Sequence, residues 1–254
     1  MRKLPLMTEK FEEVFLKESG CSWRGKIRSG ATGMTAVCRK LDEPGIHFFK
    51  NRPKITAGAV DGFFVKRYNL PGFFTQLRRR LRRPRPFTVL AGAEKLAASG
   101  IATPKVYAAM VSRCGWCRKE YLVTGLLDDK CRMLNTLSET ECRAAITGKF
   151  IAMLKVMHDT GMSHGDLSLR NCYISVDGKP GLLDLDGAVC GKVSNRRRTI
   201  ELARIISSFL MQFRKMDDAE KFTDEVLKIY GGKVVAAGVL NAVEKFFQRG
   251  KKYL

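Results

Sequence analysis

Short runs rich in β-branched and aromatic residues characterise the first half of the chain. Such runs, bounded by Gly or Pro, predict strands. They lie at residues 34–39, 62–68, 104–110 and 120–124. The last two flank a predicted turn at residues 113–118, and residues 88–99, closed by Gly100, indicate a helix.

The second half changes to helical spacing. Ser138 and Glu141 form a predicted capping box, and apolar residues follow at positions 146, 150, 153, 154 and 157. A strand–turn–strand region is predicted within residues 163–190. Three more helical patterns follow, around residues 202–209, 222–230 and 239–247, with Gly231 and Gly232 between the last two. A β-rich front and a helical back predict an α+β protein of two lobes joined near residues 124–127.

Composition narrows the class of protein. Of the 254 residues, 45% are hydrophobic and 28% are charged, which excludes a disordered or fibrous chain. No apolar stretch approaches the roughly 20 residues of a membrane span, and the first 20 residues have no signal-peptide core. We therefore expect a cytoplasmic protein whose eight cysteines are reduced thiols.

The cysteines suggest no metal site. Cys114 and Cys117 have the C-x-x-C spacing of redox and zinc sites, but neither a second such pair nor a histidine lies near them. A hairpin turn is the preferred interpretation. The remaining cysteines are interpreted as small core residues; they are Cys21, Cys38, Cys131, Cys142, Cys172 and Cys190.

The net charge is +21, from 46 Lys and Arg against 25 Asp and Glu. The densest basic runs are residues 78–85 and 196–198. A solvated face is the alternative interpretation, but this excess favours an anionic partner, and nucleic acid, lipid headgroups and phosphorylated glycans all remain open.

The sharpest candidate for chemistry is H-G-D-L-S-L-R-N at residues 164–171, followed by L-D-L-D at residues 183–186. Asn and Asp oxygens suit Mg²⁺, which binds few protein ligands together with substrate phosphates. A second Asp beside them can orient a hydroxyl and accept its proton as that hydroxyl attacks a phosphate.

These two motifs resemble the kinase catalytic loop H-R-D-L-x-x-x-N and the metal loop D-F-G. The resemblance implies that Asp166 is the catalytic base, Asn171 an Mg²⁺ ligand and Asp184 the principal metal ligand. It also implies that His164 braces the loop. Asp186 replaces the glycine of D-F-G and is expected to hydrogen-bond the turn.

Among kinases, three further segments are similar to the bacterial lipopolysaccharide kinase family: V-K-R-Y with the basic run after it, G-I-A-T-P at residues 100–104, and R-R-R-T-I-E-L-A-R at residues 196–204. The resemblance implies a protein-kinase-like fold, with an N-lobe at residues 1–124 (antiparallel sheet plus one helix) and a reduced helical C-lobe at residues 125–254. It implies ATP and Mg²⁺ as cofactors. It also implies phosphate transfer to a Kdo or heptose hydroxyl of the lipopolysaccharide inner core, on the cytoplasmic face of the inner membrane.

The same resemblance implies a set of nucleotide-binding residues: Lys66, Glu94, Gly30, Gly33, Thr124 and Leu126. Lys66 would grip the α- and β-phosphates and contribute to catalysis, and Glu94 would pair with it unless it is a surface carboxylate beside Lys95. The S-G-A-T-G segment around Gly30 is a phosphate loop or a plain turn, ahead of a predicted strand. Thr124 and Leu126 would offer backbone contacts to adenine.

The expected partners are the core glycan or a related anionic glycolipid and the anionic inner-membrane surface. Nucleic acid is disfavoured because the arginine run has no interleaved aromatic residues for stacking. The short segment between Asp184 and Arg198 leaves little room for a peptide platform, which disfavours protein substrates. Two alternatives remain: a phosphotransferase of the aminoglycoside or choline kinase type, and a non-catalytic basic kinase-like binding protein.

Overall fold

The computed structural model describes residues 10–18, 20–44, 46–231, 234 and 236–250. Contacts divide the chain into two compact units. The first holds the described residues up to Ala93 together with Pro104–Leu127, and the second holds Glu94–Thr103 and the described residues from Asp128 onwards.

The first unit is built on a seven-stranded antiparallel sheet of order β1-β2-β6-β7-β5-β4-β3. Its strands are β1 (Phe11–Glu18), β2 (Cys21–Arg28), β3 (His47–Arg52), β4 (Ile55–Val60), β5 (Phe63–Tyr68), β6 (Val106–Cys114) and β7 (Cys117–Gly125). The helices are α1 (Met34–Lys40), α2 (Phe73–Arg80) and α3 (Arg85–Ala98), the last of which continues into the second unit. The predicted strands at residues 62–68, 104–110 and 120–124 and the predicted helix at residues 88–99 are confirmed.

The predicted strand at residues 34–39 is wrong, because this segment forms α1. Met34, Val37, Cys38 and Leu41 are all buried in the core of the first unit. Their spacing of three and four residues is that of one helix face. The β-branched Thr35 and Val37 favoured a strand by composition, but burial of this face against the sheet overrides that weak preference.

Cys114 and Cys117 face each other across the β6–β7 hairpin, with Gly115 in a left-handed conformation (φ 58°) in the turn. The hairpin interpretation of C-x-x-C is therefore confirmed. On the other side of β6, Ser22 pairs with Arg113, which brings Cys21 next to Cys114.

Cys21 and Cys114 form a disulfide. The expectation of eight reduced thiols is thus wrong for this pair, because antiparallel pairing of β2 with β6 aligns two cysteines that are 93 residues apart in sequence. Cys38, Cys142 and Cys172 are buried thiols, as expected of core residues. The same expectation is wrong for Cys131, which is half-buried, and for Cys190, which is exposed on a two-residue strand.

The second unit is mainly helical. Its helices are α4 (Glu139–Ala145), α5 (Ile151–Asp159), α6 (Asn195–Phe213), α7 (Ala219–Tyr230) and α8 (Ala236–Gly250). A π-helical turn, Ile146–Phe150, joins α4 to α5 without a break. The predicted capping box is confirmed, since Ser138 and Glu141 each accept a hydrogen bond from the other's backbone N–H. The predicted break after residue 230 is also present at Gly231, whereas Gly232 lies outside the described residues.

Short strands surround the loops of the second unit: β8 (Arg132–Met133), β9 (Met162–Ser163), β10 (Cys172–Ile174), β11 (Pro180–Leu182) and β12 (Val189–Cys190). The β10–β11 hairpin confirms the predicted strand–turn–strand region. Phe150, Leu154, Phe209 and Phe222 are fully buried, and the rings of the last two lie 4.4 Å apart, so α5, α6 and α7 share one core. Among the described helices, none combines the length and the apolar character needed to cross a bilayer.

The disulfide can be tested chemically. Alkylation of the unfolded protein without reductant should modify six of its eight cysteines. Replacing both Cys21 and Cys114 by Ser should lower the free energy of unfolding by roughly 2–4 kcal/mol, because the unfolded chain regains its loop entropy. Cys117→Ser, at an exposed free thiol, is the matched control and should change stability little. Modification of all eight cysteines would contradict the assignment.

Candidate active site

His164 is completely buried and connects the loop that follows β9 to the segment before Asp184. Its Nε2 donates a hydrogen bond to the Leu183 carbonyl (2.8 Å), and its Nδ1 accepts one from the Asp166 backbone N–H (3.3 Å). In these two bonds Nε2 acts as the donor and Nδ1 as the acceptor. The ring fixes the backbone of Asp166 relative to the chain that carries Asp184.

Glycine is the only residue type that fits at position 165 of this loop. Its φ of +83° lies in the left-handed region, and a Cβ atom placed there would lie 2.1 Å from the Gly187 carbonyl oxygen. A side chain at residue 165 would therefore strain the backbone and collide with the turn that follows Asp184. This close approach explains why the sequence has H-G-D where many kinases have H-R-D.

Glu201, on α6, binds the backbone of the loop that carries His164 and Gly165. It is almost fully buried and accepts hydrogen bonds from the backbone N–H groups of His164 (3.1 Å) and Gly165. It also bonds Nε2 of His158 (2.8 Å), whose Nδ1 bonds the Tyr230 hydroxyl (2.7 Å). His158 therefore has a structural role at the end of α5.

The charge of Glu201 is stabilised by these bonds. Burial alone would raise the pKa of its carboxyl group, but the hydrogen bonds from His158 and from the N–H groups of Gly165 and His164 lower the pKa below its usual value. A buried carboxylate with all these donors stays ionised. The loop is consequently held by a buried carboxylate whose pKa is lower than usual.

Asp166 presents its carboxylate to solvent, with its side chain 76% exposed. Arg204 of α6 contacts it, with Nη1 3.0 Å from Asp166 Oδ1, and also donates to the Gly165 carbonyl. The Arg204 guanidinium lies 5.6 Å from the centre of the Phe246 ring. A cation from α6 thus orients the proposed base in a loop whose second residue is glycine.

Asn171 and Asp184 are brought close by a backbone bond. The Asn171 side-chain Nδ2 donates to the Asp166 carbonyl (2.8 Å), and the Leu183 N–H donates to the Asn171 carbonyl (2.9 Å). Asp184 is exposed and has a left-handed backbone (φ 53°), a conformation that Asp tolerates better than most residues. The amide oxygen of Asn171 and the Asp184 carboxylate are hard oxygen donors, so this pair fits Mg²⁺. Asp186 is half-buried in the turn Leu185–Gly187, and its role stays a prediction.

In the first unit, Lys66 lies on β5 between Ala57 and Leu122 of the neighbouring strands. Its side chain is largely buried, with Nζ 5.5 Å from the centre of the Tyr68 ring. Thr124, near the end of β7, pairs with Phe64 and is buried.

Gly30 and Gly33 lie in the loop between β2 and α1, so this segment precedes a helix and not the predicted strand. Both have left-handed backbones, and no atom lies within 4 Å of a Cβ built on either. The loop lines a cavity of about 630 Å³ whose wall also includes Lys105 and Tyr107. This volume is within the usual range for small-molecule sites. Both interpretations of the loop, phosphate cradle and plain turn, stay open.

Two of the predicted nucleotide contacts are exposed. Leu126 directly follows β7 and is exposed, and the N–H of the preceding Gly125 donates to the Lys105 carbonyl (2.9 Å). Glu94 is exposed on α3 in the second unit, beside Lys95, which donates to the Gly161 carbonyl (2.9 Å). Their roles, like those of Lys66, Gly30, Gly33 and Thr124, stay predictions.

Glu201 and Arg204 are not among the site residues predicted from the sequence. Both lie in R-R-R-T-I-E-L-A-R, where Glu201 is the only acidic residue and precedes the buried Ile205 by one helical turn. A lone carboxylate on the apolar face of a helix is the signal that could have identified it, because a buried charge requires hydrogen-bond partners.

The sequence profile described as Lipopolysaccharide kinase (Kdo/WaaP) family matches residues 62–230, about two thirds of the chain. The chain belongs to this lipopolysaccharide kinase family. The predicted family is thereby confirmed, and the predicted enzyme class, a phosphotransferase, is the class of this family. The predicted α+β class, with a large antiparallel sheet and a helical second half, is confirmed as well. No curated protein is significantly similar to the chain in sequence.

Several solved kinases resemble this member of the lipopolysaccharide kinase family. The bifunctional kinase-methyltransferase WbdD is 14% identical, with 78% of this chain and 46% of that chain covered and a TM-score of 0.49. A glucosamine kinase is 12% identical (94% and 82% covered, TM-score 0.38). A divergent Toxoplasma kinase that lacks the glycine-rich loop is 15% identical (74% and 69% covered, TM-score 0.40). The chain spans about half the length of the WbdD chain.

The contact between Gly165 and Gly187 predicts an effect of a single methyl group. Gly165→Ala should disorder the loop and lower both stability and kinase turnover, because the new Cβ meets a backbone carbonyl that no side-chain rotation can move. Gly148→Ala is the control, since a Cβ at Gly148 meets no atom within 4 Å. Thermal unfolding and turnover of both variants provide the test, and unchanged values for Gly165→Ala would contradict the geometry.

The lowered pKa of Glu201 predicts how stability depends on pH. A lowered pKa in the folded state contributes stability above the ordinary value of 4.5, and this contribution is lost as the pH falls through that value and the lower folded one. Glu201→Gln should therefore be less stable than the wild type at about pH 7, and the difference should begin to shrink only as the pH falls below 4.5. Urea unfolding at each pH measures the free energy of unfolding of the wild type and of Glu201→Gln. Glu220→Gln, on the exposed start of α7, is the control; a difference independent of pH would refute the ionised Glu201.

Proposed function

We propose that this chain is an ATP-dependent kinase that transfers the γ-phosphate to a Kdo or heptose hydroxyl of the lipopolysaccharide inner core. Membership of the lipopolysaccharide kinase family supports the reaction and the class of acceptor. The observation that carries the proposal is the exposed Asp166 carboxylate, fixed by Arg204 and set beside Asn171 on a loop held by Glu201.

In the proposed reaction, Asp166 orients the acceptor hydroxyl and takes its proton as the hydroxyl oxygen attacks the γ-phosphorus. The bond from that phosphorus to the β-phosphate oxygen breaks, and ADP leaves. Such catalysis depends mainly on positioning and on neutralising charge. Arg204 keeps the Asp166 carboxylate in place, and Glu201 with His164 keeps the loop backbone in place.

Asn171 and Asp184 would hold Mg²⁺. When bound, the ion neutralises negative charge on the β- and γ-phosphates. Lys66 is proposed to pair with the α- and β-phosphates, with Glu94 as its candidate partner. Gly30 and Gly33 are proposed to contact phosphate through backbone N–H groups, and the backbone around Thr124 and Leu126 to contact adenine.

We also propose that the enzyme works at the cytoplasmic face of the inner membrane, on a core glycan or a related anionic glycolipid. The net charge of +21 and the basic run at residues 78–85 support this location, since each basic residue near an anionic leaflet is worth about 1 kcal/mol. The second run contributes less, because Arg197 and Arg198 bond Ser163, Asp159 and Tyr230 within their own unit.

The proposal predicts which acceptors receive labelled γ-phosphate. Core glycolipid, or free Kdo or heptose, should be labelled in the presence of Mg²⁺, whereas aminoglycosides, choline and a generic protein should not. Asp166→Ala should lower kcat by at least about 100-fold, the usual contribution of a general base. Measuring transfer onto each acceptor tests both statements.

Asp224→Ala, at an exposed aspartate on α7, is the matched control and should keep wild-type turnover. Transfer to an aminoglycoside or to choline alone would replace the proposed acceptor with a small molecule. Wild-type turnover in Asp166→Ala would exclude the assigned base, and no transfer to any acceptor would favour a binding protein.

A further inference from the structure

Helix α2 directs its apolar side chains into solvent. Phe73, Phe74 and Leu77 are exposed, Phe74 to 83%, and Leu81 just after the helix is 89% exposed. At about 100° per residue, these four positions fall within one arc of about 100°. A helix on the surface of a globular protein normally buries such a face. This helix does the opposite.

The other side of α2 is attached to the first unit by polar contacts. Gln76 Nε2 donates to the Leu70 carbonyl (2.9 Å), and its Oε1 accepts from the Arg118 N–H (3.2 Å). The Arg118 guanidinium donates to the Arg79 carbonyl (3.0 Å) and pairs with Glu120 (2.6 Å), and both of these charged side chains are buried. The outward orientation of the apolar residues is therefore fixed by hydrogen bonds on the inner side.

Trp116 extends this apolar surface. It occupies the β6–β7 turn, is 70% exposed, and its ring centre lies 6.4 Å from that of Phe73. A shallow cavity of about 440 Å³ lies between α2 and this turn. The set Phe73, Phe74, Leu77, Leu81 and Trp116 is called the apolar patch below.

Arginines lie next to members of the apolar patch along the chain. Arg78, Arg82, Arg83 and Arg113 are all exposed on the segments that carry it. Partial burial, and then repulsion from Arg85, Arg82 and Arg118, lower the pKa of Arg79. A negatively charged surface would relieve this repulsion.

We propose that the apolar patch inserts into the interface of an anionic lipid bilayer, with the neighbouring arginines on the headgroups. The apolar patch would be the surface through which the enzyme binds the membrane, so this inference rests on the location given in the proposed function. Trp and Phe favour the headgroup boundary, and helices with an apolar face beside Lys or Arg lie in its plane. The long Arg side chains let their guanidinium groups reach the headgroups while neighbouring apolar side chains lie in the acyl region.

Charge and side-chain type favour lipid over two other occupants. A second copy of this chain would bring two sets of arginines together, and like charges destabilise such a contact. A single-stranded nucleic acid would stack on Phe and Trp but gains no stacking from Leu77 and Leu81, the latter being the most exposed member of the patch.

Trp116 is a built-in probe of insertion. The other tryptophan, Trp23, is 3% exposed in the core, so lipid can reach only Trp116. Vesicles of phosphatidylcholine with about one third phosphatidylglycerol should shift the emission to the blue, and brominated acyl chains should quench it. Part of the binding should persist in about 0.5 M NaCl, because apolar burial is not screened by salt. The measurement needs neither nucleotide nor acceptor, so a failure of the proposed phosphotransfer would not affect it.

Phe73→Ser/Phe74→Ser/Leu77→Ser should weaken the partition onto these vesicles at least about tenfold and abolish its salt-resistant part. Phe15→Ser is the matched control, since Phe15 is 74% exposed on β1, and should bind like the wild type. Trp116→Phe should lose the quenching and keep most of the partition. Near-ultraviolet circular dichroism confirms that each variant is folded.

Several results would overturn the inference. These are the absence of quenching by brominated lipid, wild-type partition of the triple Ser variant, and binding fully abolished by salt, which would leave electrostatics alone. Dimerisation that requires the apolar patch but no vesicles would assign the surface to a second copy. Quenching of Trp116 by oligonucleotide, with no effect of vesicles, would assign it to nucleic acid.

Discussion

Glu201 carries a negative charge inside the second unit, and the loop with the proposed base takes its conformation around that charge. Its two oxygens receive hydrogen bonds from the backbone of His164 and Gly165 and from the His158 ring. A carboxylate buried without such donors would cost several kcal/mol. If the loop moved away from α6, Glu201 would lose these donors, so the geometry of the loop depends on Glu201 as well as on its own residues.

The cation beside Asp166 is Arg204, which also lies on α6. Residue 165 has no space for a side chain, because the chain of residue 187 lies against it. Arg204, one turn beyond Glu201 on the same helix, supplies the guanidinium instead. Helix α6 therefore provides both the anion that receives the loop's N–H groups and the cation that orients its carboxylate. The proposed chemistry of the second unit is supported by one face of one helix.

Local patterns predicted much of the fold. The capping box at Ser138, the hairpin at residues 114–117 and the helices of the second half all arise from residues close together in sequence. The segment at residues 34–39 was mispredicted because its composition favours a strand, whereas burial against the sheet selects a helix. The Cys21–Cys114 bridge depends on strand register, which no local pattern encodes.

In the candidate site too, residues within local motifs were predicted and residues that act from a distance in sequence were not. Asp166, Asn171 and Asp184 are recognisable because their motifs are contiguous, but Glu201 and Arg204 act on a loop more than 35 residues earlier in the chain. The apolar patch combines α2 with Trp116 of the β6–β7 turn, a contact between residues 43 positions apart that a search for aromatics within the arginine run does not detect.

The backbone contact between residues 165 and 187 has a mechanical consequence. One residue immediately precedes the proposed base, and the other follows the proposed metal ligand by three positions, with no side chain between the two segments to absorb a displacement. Any shift that moves Asp166 therefore pushes directly on the turn beyond Asp184. The proposed base and the proposed metal ligand are therefore coupled through this one backbone contact.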